Sequence, residues 1–108
     1  MRDGLYKIAF ETQHGVGAGV AHLIGGRIWG GDGGLFYVGS YEVDGSRFDG
    51  TVTTAAHTEH PGLVSVFGVN QARVHLSGTW SGDAADLAGT AAEAPDVRFT
   101  VHMERIAD

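Results

Sequence analysis

Polar and apolar residues alternate with period two near both ends of the chain. Tyr6, Ile8 and Phe10 share one face against Lys7, Ala9 and Glu11. Val97, Phe99, Val101 and Met103 stand likewise against Arg98, Thr100, His102 and Glu104. Successive side chains of a strand point to opposite faces, so this alternation marks two half-buried strands. Between them the pattern predicts strands near 16 to 24, 26 to 31, 34 to 43, 47 to 57, 72 to 80 and 86 to 93. Turn signals separate them at Gly25-Gly26, Gly31-Asp32-Gly33-Gly34, Asp44-Gly45, Ser81-Gly82-Asp83 and Pro95-Asp96. The alanine-rich segment from Ala84 to Ala94 has the composition of a helix, but Gly89 and Thr90 interrupt it. A hairpin centred on Gly82-Asp83 sets Leu76 opposite Gly89 and Gly78 opposite Leu87, large against small, which favours a strand. The stretch from Pro61 to Gly68 reads either as one helical turn opened by Pro61 or as a short extended piece.

Many short strands joined by tight turns indicate an all-β fold, here one domain over residues 1–108 forming a small antiparallel barrel of about seven or eight strands with little helix. The apolar alternate positions place Tyr6, Ile8, Phe10, Val20, Leu35, Tyr37, Phe48 and Val52 in the core. Val74, Leu76, Trp80, Leu87, Val97, Phe99 and Val101 complete it. Other inward positions carry Gly50, Gly78, Gly89 and Ala91, which means either close strand approach around Trp80 or a modest cavity. Glycine is 18 of 108 residues against 2 prolines, which disfavours helix and supplies the bends of a curved sheet.

Charge and composition narrow the chemistry. The net charge is −6, from 7 basic and 13 acidic residues, and the basic residues are scattered singly, so neither nucleic acid nor a membrane surface is an expected partner. Cysteine is absent, which removes disulfides, thiol nucleophiles and thiolate zinc sites. The start, Met1 to Lys7, shows no apolar run of the kind a signal peptide needs, and the expected location is the cytoplasm.

No motif carries catalysis. Gly15-Val-Gly-Ala-Gly19 has Val20 where a dinucleotide loop needs its third glycine, and no helix is expected after it. Gly30 to Gly34 holds Asp32 at the centre of what would otherwise be an anion nest, and reads as a bend of the sheet. His57-Thr-Glu-His60 has metal-ligand types but lacks the helix of a H-E-x-x-H site, and Pro61 follows at once. His14, His22, His75 and His102 are single, the last two on an outer face. No serine sits in a nucleophile elbow. No catalytic residue, cofactor or metal is therefore assigned.

Asp3-Gly-Leu-Tyr-Lys-Ile-Ala-Phe10, Gly17-Ala-Gly19, Gly26-Arg-Ile-Trp-Gly-Gly-Asp32, Tyr37-Val-Gly39 and the stretch from Val52 to His57 resemble, in order and spacing, the GrlR family of negative regulators of type III secretion. The resemblance covers about the first half of the chain. It implies a lipocalin-like barrel, a homodimer, and a protein-binding role like that of the family's namesake, which holds a transcriptional activator inactive. The family's exposed cluster of alternating Glu and Asp falls on Ser40-Tyr-Glu-Val-Asp-Gly-Ser-Arg47, where this chain departs from the family and keeps only Glu42 and Asp44.

A dimer is also expected because an odd or imperfectly closed barrel leaves strand edges that natural proteins cover. The expected partner surface is Asp32, Tyr37, Tyr41, Glu42 and Asp44, which combines acids with tyrosines beside the best-matched motif. The leading expectation is thus a non-enzymatic, dimeric interaction module. The alternative is a barrel that binds a small hydrophobic ligand in its interior.

Overall fold

The computed structural model describes residues 1–13, 15–58 and 71–108. Eight strands follow one another: β1 (Gly4–Thr12), β2 (Gly15–Ile24), β3 (Arg27–Gly31), β4 (Leu35–Asp44), β5 (Arg47–Ala56), β6 (Gln71–Ser81), β7 (Ala84–Ala91) and β8 (Ala94–Ala107). Each pairs antiparallel with the next, and β8 pairs back onto β1, so the sheet is a closed barrel. Among the described residues there is no helix, and so none long and apolar enough to cross a membrane. His14, and the segment from Glu59 to Asn70 that contains the Pro61 to Gly68 stretch, lie outside the described residues.

Local chemistry sets the hairpins. Gly45 and Gly82 each have φ +59° and open two-residue loops, where a left-handed first position calls for glycine. The β6–β7 register pairs Leu76 with Gly89 and Gly78 with Leu87, as the large-against-small pattern requires. The turn expected at Pro95-Asp96 falls instead at Ala92-Glu93, and Pro95 lies just inside β8. Proline is tolerated there because the β7–β8 register shifts between Gly89 and Ala91: Ala94 pairs with Ala91, and Pro95 to Arg98 have no partner on β7. The Gln13 side chain serves that stretch: its Oε1 accepts from Arg98 N at 2.7 Å and its Nε2 donates to the Asp96 carbonyl at 2.6 Å.

Inside, β1 and β2 show how the barrel is filled. Tyr6, Ile8 and Phe10 point inward and meet Ala21, Gly19 and Gly17 across the strand pair. A Cβ on Gly17 would lie 2.4 Å from the Phe10 ring, and one on Gly89 would lie 2.6 Å from the Phe99 ring. The inward places of β2 from Gly17 to Ala21 are therefore held by small residues, Leu23 fills the next, and Val16, Val20 and Ile24 turn outward. This corrects the expectation for Val20, which is 42% exposed. Trp80 and Leu35 are only partly buried, and Leu23, Ile28, Tyr41 and Met103 join the core.

The Cα extents are 40 × 27 × 18 Å, so the barrel is flattened and its walls stand close. An apolar cavity of about 60 Å³ remains, lined by Phe10, Ile28, Val52, Leu76, Phe99 and their neighbours. Small residues thus accommodate the Phe10 and Phe99 rings, whereas Trp80 reaches Ser46 at a barrel end, its backbone N donating to the Ser46 carbonyl at 2.8 Å.

Close strand approach makes a sharp prediction. A Cβ on Gly78 would stand 2.1 Å from the Asp86 carbonyl oxygen and 2.9 Å from the Leu87 Cα, so β6 and β7 would have to part. Gly78→Ala is expected to lower unfolding free energy by about 1–3 kcal/mol in a urea titration. Gly33→Ala, with nothing within 4 Å of its Cβ, is the control and should leave the midpoint unchanged.

Candidate functional site

Strand β4 shows two different outer surfaces along its length. Phe36 and Val38 project outward from its first half, Ser40 follows, and Glu42 and Asp44 project from its second half. Pairing carries both surfaces sideways. Trp29 of β3 stands opposite Val38, and Val20 of β2 lies across Gly31 from Phe36, with no side chain between them. Val20, Trp29, Phe36 and Val38 are each 38–46% exposed and form one contiguous apolar patch on the outside of β2, β3 and β4. Arg27 covers one side of it, its guanidinium 6.0 Å from the Trp29 ring centroid, and the His22 ring lies 5.8 Å from the same ring.

The acidic half is built by β4 and β5 together. Glu42 stands directly opposite Asp49, and Asp44 opposite Arg47. Like charges directly opposite on one face destabilise a sheet, so the Glu42–Asp49 pair is not there for stability. Asp49 is partly offset by His75, whose Nε2 lies 2.7 Å from its Oδ1. His102 makes the matching contact with Asp86 at 2.7 Å. Both histidines lie on the outer face as expected, but each has a carboxylate partner.

Of the five residues expected on a partner surface, two are placed there. Glu42 and Asp44 are exposed. Tyr37 and Tyr41 are 6% and 8% exposed and belong to the core, Tyr41 stacked on Phe48 with ring centroids 5.1 Å apart. Asp32 builds a turn: its carboxylate accepts from the Tyr37 hydroxyl, from Gly34 N at 2.9 Å and from Leu35 N at 2.8 Å. His57 Nε2 lies 2.9 Å from the Asp32 carbonyl and ties the end of β5 to the same turn. The Gly30 to Gly34 run is therefore an Asp-capped turn, its one carboxylate occupied by the protein's own donors.

Trp29, Phe36 and Val38 were not singled out by residue type, yet the sequence does carry a signal. Leu35-Phe-Tyr-Val38 is apolar on both faces of its strand, a pattern that goes with burial on both sides. No group of three or more metal-ligating side chains occurs among the described residues, and His57 is the one described member of the His57-Thr-Glu-His60 pair of imidazoles. The interior cavity of about 60 Å³ compares with roughly 300–1,000 Å³ for sites that take metabolite-sized ligands.

The fold and this face define a small closed all-β barrel with an amphipathic outer wall. No protein-family model and no curated protein matches the chain.

The Asp32 turn has a pH signature. Burial pushes the Asp32 carboxyl up, but the hydrogen bonds from Tyr37, Gly34 and Leu35 outweigh it and leave its pKa below the ordinary 3.8. Burial, then the Asp32 carboxylate, pushes the Tyr37 hydroxyl strongly up, so it stays a donor. A depressed carboxyl contributes stability that is present at neutral pH and fades as pH falls below about 5. Asp32→Ala is expected to cost about 2 kcal/mol at pH 7, in the range for hydrogen bonds to a charged group, and to flatten the acid limb of stability against pH. Denaturant titrations from neutral pH to pH 3 test this.

Proposed function

We propose that this chain is a non-enzymatic protein-interaction module that works as a homodimer, in the manner its resemblance to the GrlR negative regulators implies. The observation that carries the reading is the contiguous Val20, Trp29, Phe36 and Val38 patch on the outside of a closed barrel. Closure gives every strand a neighbour on each side, which confines edge pairing to the stretches of β2 and β4 that run past the five-residue β3. Side chains are then the main route to association. A cluster of exposed aromatic and branched residues is the kind of surface that marks such contact, with tryptophan favoured at its energetic centre.

Two copies meet over the apolar half of β4, and the acidic half, Glu42, Asp44 and Asp49, stays free in each copy for a basic protein partner such as a transcriptional activator. Carboxylates at the rim of an interface act mainly on the rate of association. The protein works in the cytoplasm, and neither nucleic acid nor membrane is a direct partner. The interior-ligand alternative has less support, since about 60 Å³ is the liquid-volume share of about two waters.

Sedimentation at micromolar concentration tests the dimer. The native chain should sediment at twice 11.3 kDa, and Val38→Lys, which places a charge at the centre of the patch, should sediment at 11.3 kDa with its far-ultraviolet circular dichroism unchanged. A native chain that is monomeric throughout sinks the proposal. The partner is tested separately, by affinity capture from the native cell followed by kinetics. Reversing Glu42 and Asp44 to Lys should slow capture of the recovered partner at low salt, with the difference shrinking at high salt. Equal association rates at low salt would remove the acidic half from the site.

A further inference from the structure

Strand β3 has five residues, whereas β2 and β4 on either side of it have ten each. The β2–β3 ladder runs from Val20 to Ile24 and stops there, so Gly15 to Gly19 pair with β1 on one side and, among the described residues, with no backbone on the other. Strand β4 overhangs β3 at the opposite end of the barrel, where Glu42, Val43 and Asp44 pair with β5 alone. The closed barrel thus keeps two short lengths of open edge.

Their chemistry differs. The β4 length carries two carboxylates in three residues, and charge is a common means by which natural sheets keep an edge from pairing. Gly15-Val-Gly-Ala-Gly19 carries no charge and no proline, and its register with β1 runs without a bulge. The edge is unguarded. The glycines that make room inside, Gly17 for the Phe10 ring and Gly19 for the Tyr37 hydroxyl, also leave the backbone bare, with only Val16 and Ala18 bearing side chains along it. Val16 is 74% exposed.

Such an edge selects its occupant by backbone geometry. In a straight antiparallel strand alternate residues turn their N–H and C=O groups to opposite sides, so the groups that do not face β1 lie in a row that another extended chain can match. Five residues at about 3.4 Å each give a length of roughly 17 Å. Side chains set the composition. On the outside an added strand would lie beside Val16 and Ala18, and on the inside beside the Phe10 ring, which itself meets Tyr37 edge to face with centroids 6.2 Å apart. No residue from Gly15 to Val20 offers a counter-charge.

We propose that Gly15 to Gly19 is a strand-addition site, at which an extended, uncharged, apolar segment of a partner protein pairs with β2 in the lane that β3 leaves open. The proposal rests on the reading of this chain as an interaction module but not on the dimer, because the edge lies outside the Trp29 and Val38 contact. It gives the partner a second hold, made by backbone and insensitive to salt.

Two experiments on the full-length labelled chain test it. In the free protein, amide hydrogen exchange should alternate along Gly15 to Gly19, fast where the N–H faces the lane and slow where it faces β1. Exchange that is uniform along this stretch, whether slow or fast, would overturn the proposal. The second uses a seven-residue peptide of alternating isoleucine and threonine, methylated on alternate backbone nitrogens along one edge so that it pairs through the other and does not assemble with itself. At millimolar peptide the fast amides should become protected, with equal affinity at low and high salt. A peptide of the same sequence with every backbone nitrogen methylated should bind at least tenfold more weakly, as should the unblocked peptide to the Val16→Lys, Ala18→Lys chain, whose fold a thermal melt checks. The Val38→Lys chain should bind the peptide as the native chain does, so a failed dimer leaves this result standing. No binding at millimolar peptide, equal binding of the fully methylated peptide, or amide shifts centred away from Gly15 to Gly19 would overturn the assignment.

Discussion

Because β8 pairs with β1, every strand of this barrel has a neighbour on each side, and this closure decides where the molecule can meet anything else. An open sheet offers rows of unpaired backbone donors and acceptors, and partners are commonly added to it as an extra strand. Here that route is confined to the stretches of β2 and β4 that run past short β3, so recognition falls mainly to side chains on the outer wall. Closure also limits the inside. Small inward positions set how closely neighbouring strands lie: at Gly39 of β4 a Cβ would sit 2.0 Å from the Thr51 carbonyl oxygen of β5. The glycine content and the exposed valines of β2 are two consequences of the same constraint: where small residues take the inward places, large ones turn out.

Period-two patterning located the strands because it depends only on local geometry, and the β6–β7 hairpin could be read to the residue because large and small partners alternate on both sides of one turn. Patterning does not say which face is inside when both are apolar or when the inward face is glycine. Alternation of apolar positions puts Val20 in the core, yet register with β1 gives the interior to Gly19 and Ala21. The turn at Pro95-Asp96 was misplaced for a related reason. Proline signals a break in pairing, and pairing does break there, but through a register shift inside β8 and not through a loop.

The tyrosines show why a partner surface is harder to read than a strand. Tyr37 and Tyr41 have the composition of an interface, an apolar body with a polar tip, and the same property lets a tyrosine be buried with its hydroxyl on a partner. Tyr37 does so on Asp32, which removes two of the expected surface residues at once by pairing them with each other. Asp32 was legible as a turn residue, since Asp among glycines caps backbone donors two and three residues on. Its role as the anchor of a buried hydroxyl was not, because that contact depends on the direction of the Tyr37 side chain.

The outer wall that remains is not uniform. In a ring of eight strands β7 lies four places from β3, so the apolar patch centred on β3 faces away from the outer side of β7. The Glu42–Asp49 pair adds a second surface, one that works against sheet stability. A chain of this size has little stability to spare, of the order of 0.1 kcal/mol per residue. Exposed tryptophan and opposed carboxylates each depart from what a barrel needs merely to fold, and sequences tend to break such rules where something other than folding is served. The interior is nearly filled and the sheet is closed, so the departures collect on the outside, where a partner can reach them.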